Sequence, residues 1–264
     1  MGAGSYLKPA TLFNSQVHKI ATFLGWRITD RRPILSDWHQ GRLGRAVTAA
    51  EAQLLSGAMD DIFGLELLQL GVWGSGRELL QGSRTRRQSI VASSAPLPAA
   101  GADLIANPAH LPVATGSVDA VLLPHSLEIE PDPQAVLREA DRVLTGQGHL
   151  VVLGFRPWSL WGLRAAASHS GYPPGLNRLI SEQRLRDWLI LLGYEITAAR
   201  HYLYLLPYES GTPGRGALRR ALFNPLPAGA YLLKARKRTY PLTPIRARRR
   251  ERAPLLGALV NPTT

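Results

Sequence analysis

Cysteine is absent from the 264 residues, methionine occurs twice, and only four of the 31 basic residues are lysine. The first absence excludes disulfides, thiolate zinc sites, iron–sulfur clusters and a cysteine nucleophile, and it fits a reducing compartment. No apolar run approaches the ~18 residues that a membrane-spanning helix needs. The first twenty residues, broken by His18 and Lys19, lack the apolar block of a secretory signal. A cytoplasmic protein without a membrane span is therefore expected. Acid is also scarce, 19 Asp and Glu against 31 Lys and Arg, which gives a net charge of +12. At 45% hydrophobic residues the chain is nonetheless rich enough in apolar surface to bury a core, so disorder throughout is excluded.

The positive charge is unevenly placed. Nine cations lie between Lys234 and Arg252 and meet one acid there, Glu251, which accounts for most of the excess. The charge thus reads as a solvated, weakly anion-binding C-terminal stretch rather than a specific reader of nucleic acid. Arg84, Arg86 and Arg87 read as solvated cations.

Residues 1–36 show no clear period and contain Thr29-Asp30-Arg31-Arg32-Pro33, so they read as an N-terminal extension. Leu43, Val47, Ala50, Leu54, Ala58 and Ile62 then repeat at three and four residues, which predicts one apolar stripe on a helix ended by Gly64. Beyond it, short apolar runs alternate with helical patterns, the signature of a parallel sheet with crossover helices. The candidate strands are 66–70, 88–92, 103–106, 120–123 and 149–153. Asp132 is placed to cap a helix with Pro133 in its first turn and Val136, Leu137, Ala140, Val143 and Leu144 on one face, before Gly146 and Gly148. A further helix is expected from Ser181, with Leu185, Trp188, Leu189 and Leu192 on one side and Gly193 at its stop. Two apolar segments, 194–206 and 230–235, follow without a crossover helix between them, so an antiparallel closing pair is predicted. The division is an extension over 1–36, a body over 37–238 and a basic, disordered tail over 239–264.

The first strand runs into Gly71-Val72-Trp73-Gly74-Ser75-Gly76 and then a helical pattern. Such a turn lets main chain approach a nucleotide and aims helix N-terminal amides at it, although the spacing differs from the dinucleotide fingerprint and a plain tight turn is the competing reading. More specific is Leu111-Pro112-Val113-Ala114-Thr115-Gly116-Ser117-Val118-Asp119-Ala120-Val121-Leu122, joined to His125-Ser126-Leu127-Glu128 and to Leu137-Arg138-Glu139-Ala140-Asp141-Arg142-Val143-Leu144. Over about 65–238 the sequence resembles the class I S-adenosylmethionine-dependent methyltransferases, in particular the type 11 methyltransferase domain. The resemblance implies an α/β, Rossmann-like fold. Its seven-stranded sheet is mostly parallel, in the order three, two, one, four, five, seven, six, with 230–238 as the antiparallel last strand. It also implies S-adenosyl-L-methionine as cofactor and a small molecule as methyl acceptor.

Carried over residue by residue, the resemblance makes Gln69, Gly71, Gly74, Gly76, Ser93, Asn107 and Leu111 the cofactor-binding candidates and His125 the catalytic one, with no metal site. Several positions depart from the family. Gln69 stands where an acid helps hold the methionine end, so the charge-assisted part of that bond, ~1 kcal/mol, is lost. The turn is one residue longer than usual and carries Trp73. Ser93 and Ser94 replace the acid that meets the ribose, and Asn107 replaces the aspartate near the adenine. A sulfonium methyl donor is already activated, so alignment and exclusion of water are the main demands, and a missing catalytic triad counts for little. His125, just past the fourth strand, serves as base or pocket wall on this view; a histidine bonded only structurally is the competing view. Glu128 reads as a helix-end residue, and His110 and His149 as structural. The segment 154–164, with Phe155, Trp158, Trp161, Arg156 and Arg164, suits either a substrate-pocket wall or packing over the sheet edge.

Four functions remain in competition. The first is a small-molecule methyltransferase, and the second a catalytically degenerate protein of the same fold acting as a binding or scaffold module, favoured by Gln69 and Ser93. An NADP-dependent reductase is disfavoured because no Tyr is followed four residues later by Lys. A nucleic-acid-binding module rests on the arginine-rich tail alone.

Overall fold

The computed structural model describes residues 32–74, 76–93, 101–168, 171–204, 207 and 227–238. The predicted basic tail and most of the predicted extension lie outside these residues. Seven strands form one sheet: β1 (Phe63–Leu70), β2 (Arg84–Ala92), β3 (Leu104–Ile105), β4 (Val118–Pro124), β5 (Leu144–Phe155), β6 (Tyr194–Tyr202) and β7 (Ala230–Lys237). Their order is β3-β2-β1-β4-β5-β7-β6, parallel from β3 to β5, with β7 antiparallel to both β5 and β6. This is the mostly parallel α/β sheet expected from the sequence, with the closing pair where two apolar segments lack a crossover helix between them.

The helices are α1 (Arg32–Gln40), α2 (Arg42–Ala58), α3 (Ser126–Ile129), α4 (Pro133–Val143), α5 (Leu160–Ala167) and α6 (Glu182–Leu191). Two apolar clusters cover the sheet. One joins Leu35, Val47, Leu55, Leu79 and Leu122 with Phe155 and Trp161; the other joins Leu68, Val91, Leu123 and Val136 with Leu185 and Leu233. The second face follows the predicted periodicity of α4, whose Val136, Leu137, Ala140 and Val143 are all buried. Asp132 caps it, its Oδ1 accepting the Ala135 N–H at 2.9 Å. Ser181 caps α6 in the same way, and Gly193, at φ +83°, ends it.

Four local expectations are corrected. The helix from Leu43 ends at Ala58 and strand begins at Phe63, so Ile62 falls between them and Gly64 lies inside β1. Gly64 is needed there because a Cβ would stand 2.5 Å from that of Asp119, whose Oδ2 accepts the N–H of Leu65 at 2.6 Å and of Glu66 at 3.1 Å. The buried face of α2 also runs through Thr48, Glu51 and Leu55, while Ala50 is exposed. Leu144, Gly146 and Gly148 belong to β5, not to the end of α4.

Most consequential is the crossover from β1 to β2. It contains no α-helix, only the 3-10 turn Arg77–Leu80, because the glycines up to Gly76 and Gly82 leave too short a run between them. α2 covers that region instead, and Gly82 lies so close to it that a Cβ would stand 2.4 Å from Ser56 Cα. The basic stretch is corrected as well. Lys234 is buried in β7, donating to Ala58 O at 3.0 Å and pairing with Asp61, and Lys237 pairs with Asp141 at 3.0 Å, so part of the charge is structural. α1 begins within the segment without period and buries Leu35 and Trp38. Among the described residues no helix is long and apolar enough to cross a membrane.

Replacing Asp132 by Ala removes the α4 cap, and urea unfolding is expected to show a loss of about 1 kcal/mol with the slope unchanged.

Candidate active site

In an open sheet of this order the chain leaves β1 and β4 toward opposite faces, and a crevice opens between their carboxyl ends. Gly71, Gly74 and Gly76 turn the chain out of β1 with φ of +92°, +64° and +95°, conformations that a side chain resists. His125 turns it out of β4 in the left-handed region, at φ +56° and ψ +10°, which costs a non-glycine residue roughly 1 kcal/mol. Gln69, wholly buried in β1, ties the turn together: Nε2 donates to Gly71 O at 2.9 Å and Gly76 O at 3.4 Å. Its Oε1 is buried and has no hydrogen-bond partner among the described residues.

Trp73, carried by this turn, is fully buried. Its Nε1–H donates to Glu51 Oε2 at 2.6 Å, and its ring stacks on His125 with centroids 4.2 Å apart. Glu51 reaches the crevice from α2. Its Oε1 takes the Tyr202 hydroxyl and the Nε2 side of His125, both at 2.9 Å, and the other His125 nitrogen meets Glu128 Oε2 at 2.8 Å. Glu128 Oε1 accepts the Phe155 N–H at 2.9 Å, so the histidine and its two acids fasten β4, α2 and β5 to one another. Burial opposes a charge on His125, yet the Glu51 carboxylate and the bonds to both glutamates raise its pKa to about 9. Burial pushes the Glu128 carboxyl up against the pull of His125, and burial beside Glu51 pushes the Tyr202 phenol well up. His39 of α1 meets the indole edge-on at 4.2 Å; burial, opposed by its bond to the Leu35 carbonyl, takes it down to about 4. Its Nδ1–H donates to that carbonyl at 2.8 Å, which leaves Nε2 a buried acceptor without a partner among the described residues.

The rings continue along the strand ends. His125 stacks on Phe155 at 4.3 Å, Phe155 on Trp161 at 5.3 Å, and Trp161 lies 5.7 Å from Tyr172. The segment after β5 therefore divides its aromatics: Phe155 and Trp161 are core, whereas Trp158 is 86% exposed. Arg164 lies over the Tyr172 ring at 3.8 Å with a buried Nη1 lacking a hydrogen-bond partner among the described residues.

The remaining candidates stand at the ends of the next two strands. Ser93, half-buried, follows β2, and Ser94 lies outside the described residues. Asn107 is exposed after β3, its Oδ1 accepting the Ala109 N–H at 2.9 Å. Leu111 is buried and donates its N–H to Glu139 Oε1 at 2.6 Å, while Arg142 holds the carbonyls of Leu111 and Val113 at 3.2 and 2.8 Å. Thus Gln69, Gly71, Gly74, Gly76 and His125 lie together at the carboxyl ends of β1 and β4, while Ser93 follows β2 and Asn107 and Leu111 follow β3. A separate cavity of about 380 Å³, walled by Pro131, Gln134, Arg178, Arg184 and Trp188, includes none of these residues. Sequence reasoning missed Glu51, Tyr202 and His39. The only available signal was an acid four residues from Val47 and from Leu55 on an apolar helix face.

Residues 85–152 match the methyltransferase domain family. The uncharacterized protein YafS of Escherichia coli (strain K12) is 42% identical over 139 residues, covering 52% of this chain and 56% of that protein, so the chain matches only about half the length of its curated relative. Among solved structures, a S-adenosylmethionine-dependent methyltransferase from Archaeoglobus fulgidus superposes with a TM-score of 0.54 at 14% identity, over 73% of this chain and 94% of that one. Another, from Mesorhizobium loti, gives 0.53 at 17% identity, over 71% and 98%. The shared architecture is the class I methyltransferase fold.

Because the pKa of His125 rises on folding from 6.5 to about 9, the stabilisation by its charged form is complete below pH 6.5 and is lost as pH rises through 9. The stability difference between wild type and His125→Gln in urea unfolding is expected to shrink across that window by up to ~3 kcal/mol. A difference independent of pH would mean an uncharged imidazole.

Proposed function

We propose that this chain, which has the fold of a class I S-adenosylmethionine-dependent methyltransferase, binds S-adenosylmethionine at the crevice between β1 and β4 and methylates a small molecule. The observation that carries the proposal is Gln69 Oε1, a buried acceptor without a donor among the described residues, beneath a turn of positive-φ glycines. An ammonium group is the donor it lacks, and the amino-acid end of the cofactor bears one, so the residues present fit the group. When bound, the cofactor supplies a methyl group already activated by a sulfonium centre.

The chain's residues then have positioning roles. Gln69 and the main chain of Gly71 to Gly76 would hold the amino-acid end. Ser93 offers a hydroxyl for the ribose, and Asn107, whose Oδ1 is already engaged by Ala109, offers its amide N–H groups on the adenine side with Leu111 as an apolar wall. His125, with both ring nitrogens engaged by glutamates, forms the wall of the crevice and fixes the corner after β4. For the acceptor, Arg164 Nη1, which has no hydrogen-bond partner among the described residues and lies beside Tyr172, supports a small molecule carrying an oxygen atom. A second reading, a protein of the same fold that binds without turnover, is favoured by the neutral Gln69 and by the buried ring of Trp73.

Isothermal titration is expected to show saturable uptake of S-adenosylhomocysteine and no response to NADPH, with methyl transfer to a small-molecule fraction followed by mass spectrometry. Gly71→Asp, which places a side chain where even a Cβ would lie 2.8 Å from Ser126 Oγ, should abolish that uptake with the circular-dichroism spectrum retained. Undiminished affinity in this variant would place the pocket elsewhere. Uptake without methylation of any fraction would favour the second reading.

A further inference from the structure

We propose that Trp73 is an exchangeable plug and that Glu51 is the anionic anchor for the ammonium group of the ligand that displaces it. The proposal rests on the assignment of the crevice to an S-adenosyl ligand. It begins from where the indole lies. Trp73 follows β1, His125 follows the adjacent parallel strand β4, and the two rings stack at 4.2 Å beyond the strand ends, so that place is filled by the chain's own side chain. The turn that carries the indole has three positive-φ glycines, which adopt other backbone conformations without a Cβ penalty.

The polar atoms around the indole are acceptors in excess. Glu51 Oε2 receives the indole N–H, whereas Gln69 Oε1 and His39 Nε2 receive nothing among the described residues. A buried acceptor without a donor is unfavourable. Trp73 brings one N–H to this surplus, and an ammonium group brings three together with a charge. A group with no N–H or O–H to offer would leave Glu51 Oε2 buried without a donor. The acid that the methyltransferase resemblance places in the first strand is the amide Gln69 here, and the carboxylate bonded to the indole of the turn is that of Glu51, delivered by the helix that precedes the strand. Glu51 keeps its bonds to His125 and Tyr202 when the indole leaves, so the anchor is held in place by groups that need not move.

Two ligands and two variants test this by titration calorimetry and tryptophan emission. Trp73→Phe keeps a ring but loses the N–H, and it should bind S-adenosylhomocysteine about five-fold more tightly, as expected for one fewer hydrogen bond to break. Glu51→Gln should bind the same ligand at least ten-fold more weakly, yet bind 5′-methylthioadenosine, which lacks the amino-acid end, within two-fold of wild type. The wild-type emission spectrum minus that of Trp73→Phe should shift to the red on adding S-adenosylhomocysteine. The proposal is overturned if Glu51→Gln keeps its affinity, if it weakens both ligands alike, or if Trp73→Phe binds no tighter and the difference spectrum stays fixed. Should Glu51→Gln fail to fold, the Trp73→Phe affinity and the emission shift decide. Binding by wild type with Glu51 unimportant removes this inference alone, whereas no binding by wild type or Trp73→Phe removes the assignment of the crevice as well.

Discussion

A single carboxylate organises the carboxyl edge of this sheet. Glu51 is wholly buried, and its two oxygens gather an indole, an imidazole and a phenol from three distant parts of the chain. An isolated carboxylate in such a place would be prohibitively costly, and the charge-assisted bonds are what make it tolerable. The same bonds raise the pKa of His125, hold its strained backbone and fix α2 against the end of β4. Removal of the carboxylate would leave the Tyr202 phenol without its acceptor and His125 with Glu128 alone, so position and charge are determined together.

The sheet was legible because its signals are local. Val136, Leu137, Ala140 and Val143 follow the helical period and are buried on one side, and the strands of the parallel half were recognised as apolar runs, although β1, β2, β4 and β5 were read too short and β3 too long. The crevice was legible only in part. Gln69, the glycines and His125 sit within motifs, but Glu51 is an ordinary acid in a helix whose outer face is also polar. Nothing in a one-dimensional pattern tells an inward glutamate from an outward one until its partners are known, and those partners lie 22, 74 and 151 positions away. The short crossover after β1 was misread for a related reason. Leu79 and Leu80 resemble the start of an amphipathic helix, yet Gly82 closes it after one turn.

The departures from the methyltransferase pattern form one connected set. A neutral amide replaces the strand acid, the turn is longer and carries an indole, the crossover helix is reduced to a 3-10 turn, and the preceding helix α2 covers the region and supplies a carboxylate. Each change alone would look like decay of a site. On the proposed reading they amount together to a rebuilt one, in which the charge and the covering helix come from the N-terminal side of β1 rather than from its C-terminal side.

The position of β7 has its own consequence for how the molecule comes to be made. This strand is the last in the chain among the described elements, yet it lies inside the sheet between β5 and β6 and meets each along most of its length. During synthesis β6 therefore emerges with no neighbour to pair with and must wait until residues 230–237 have left the ribosome. Closure of that side is a late event, and a nascent chain interrupted before it would present two unpaired strand edges at once.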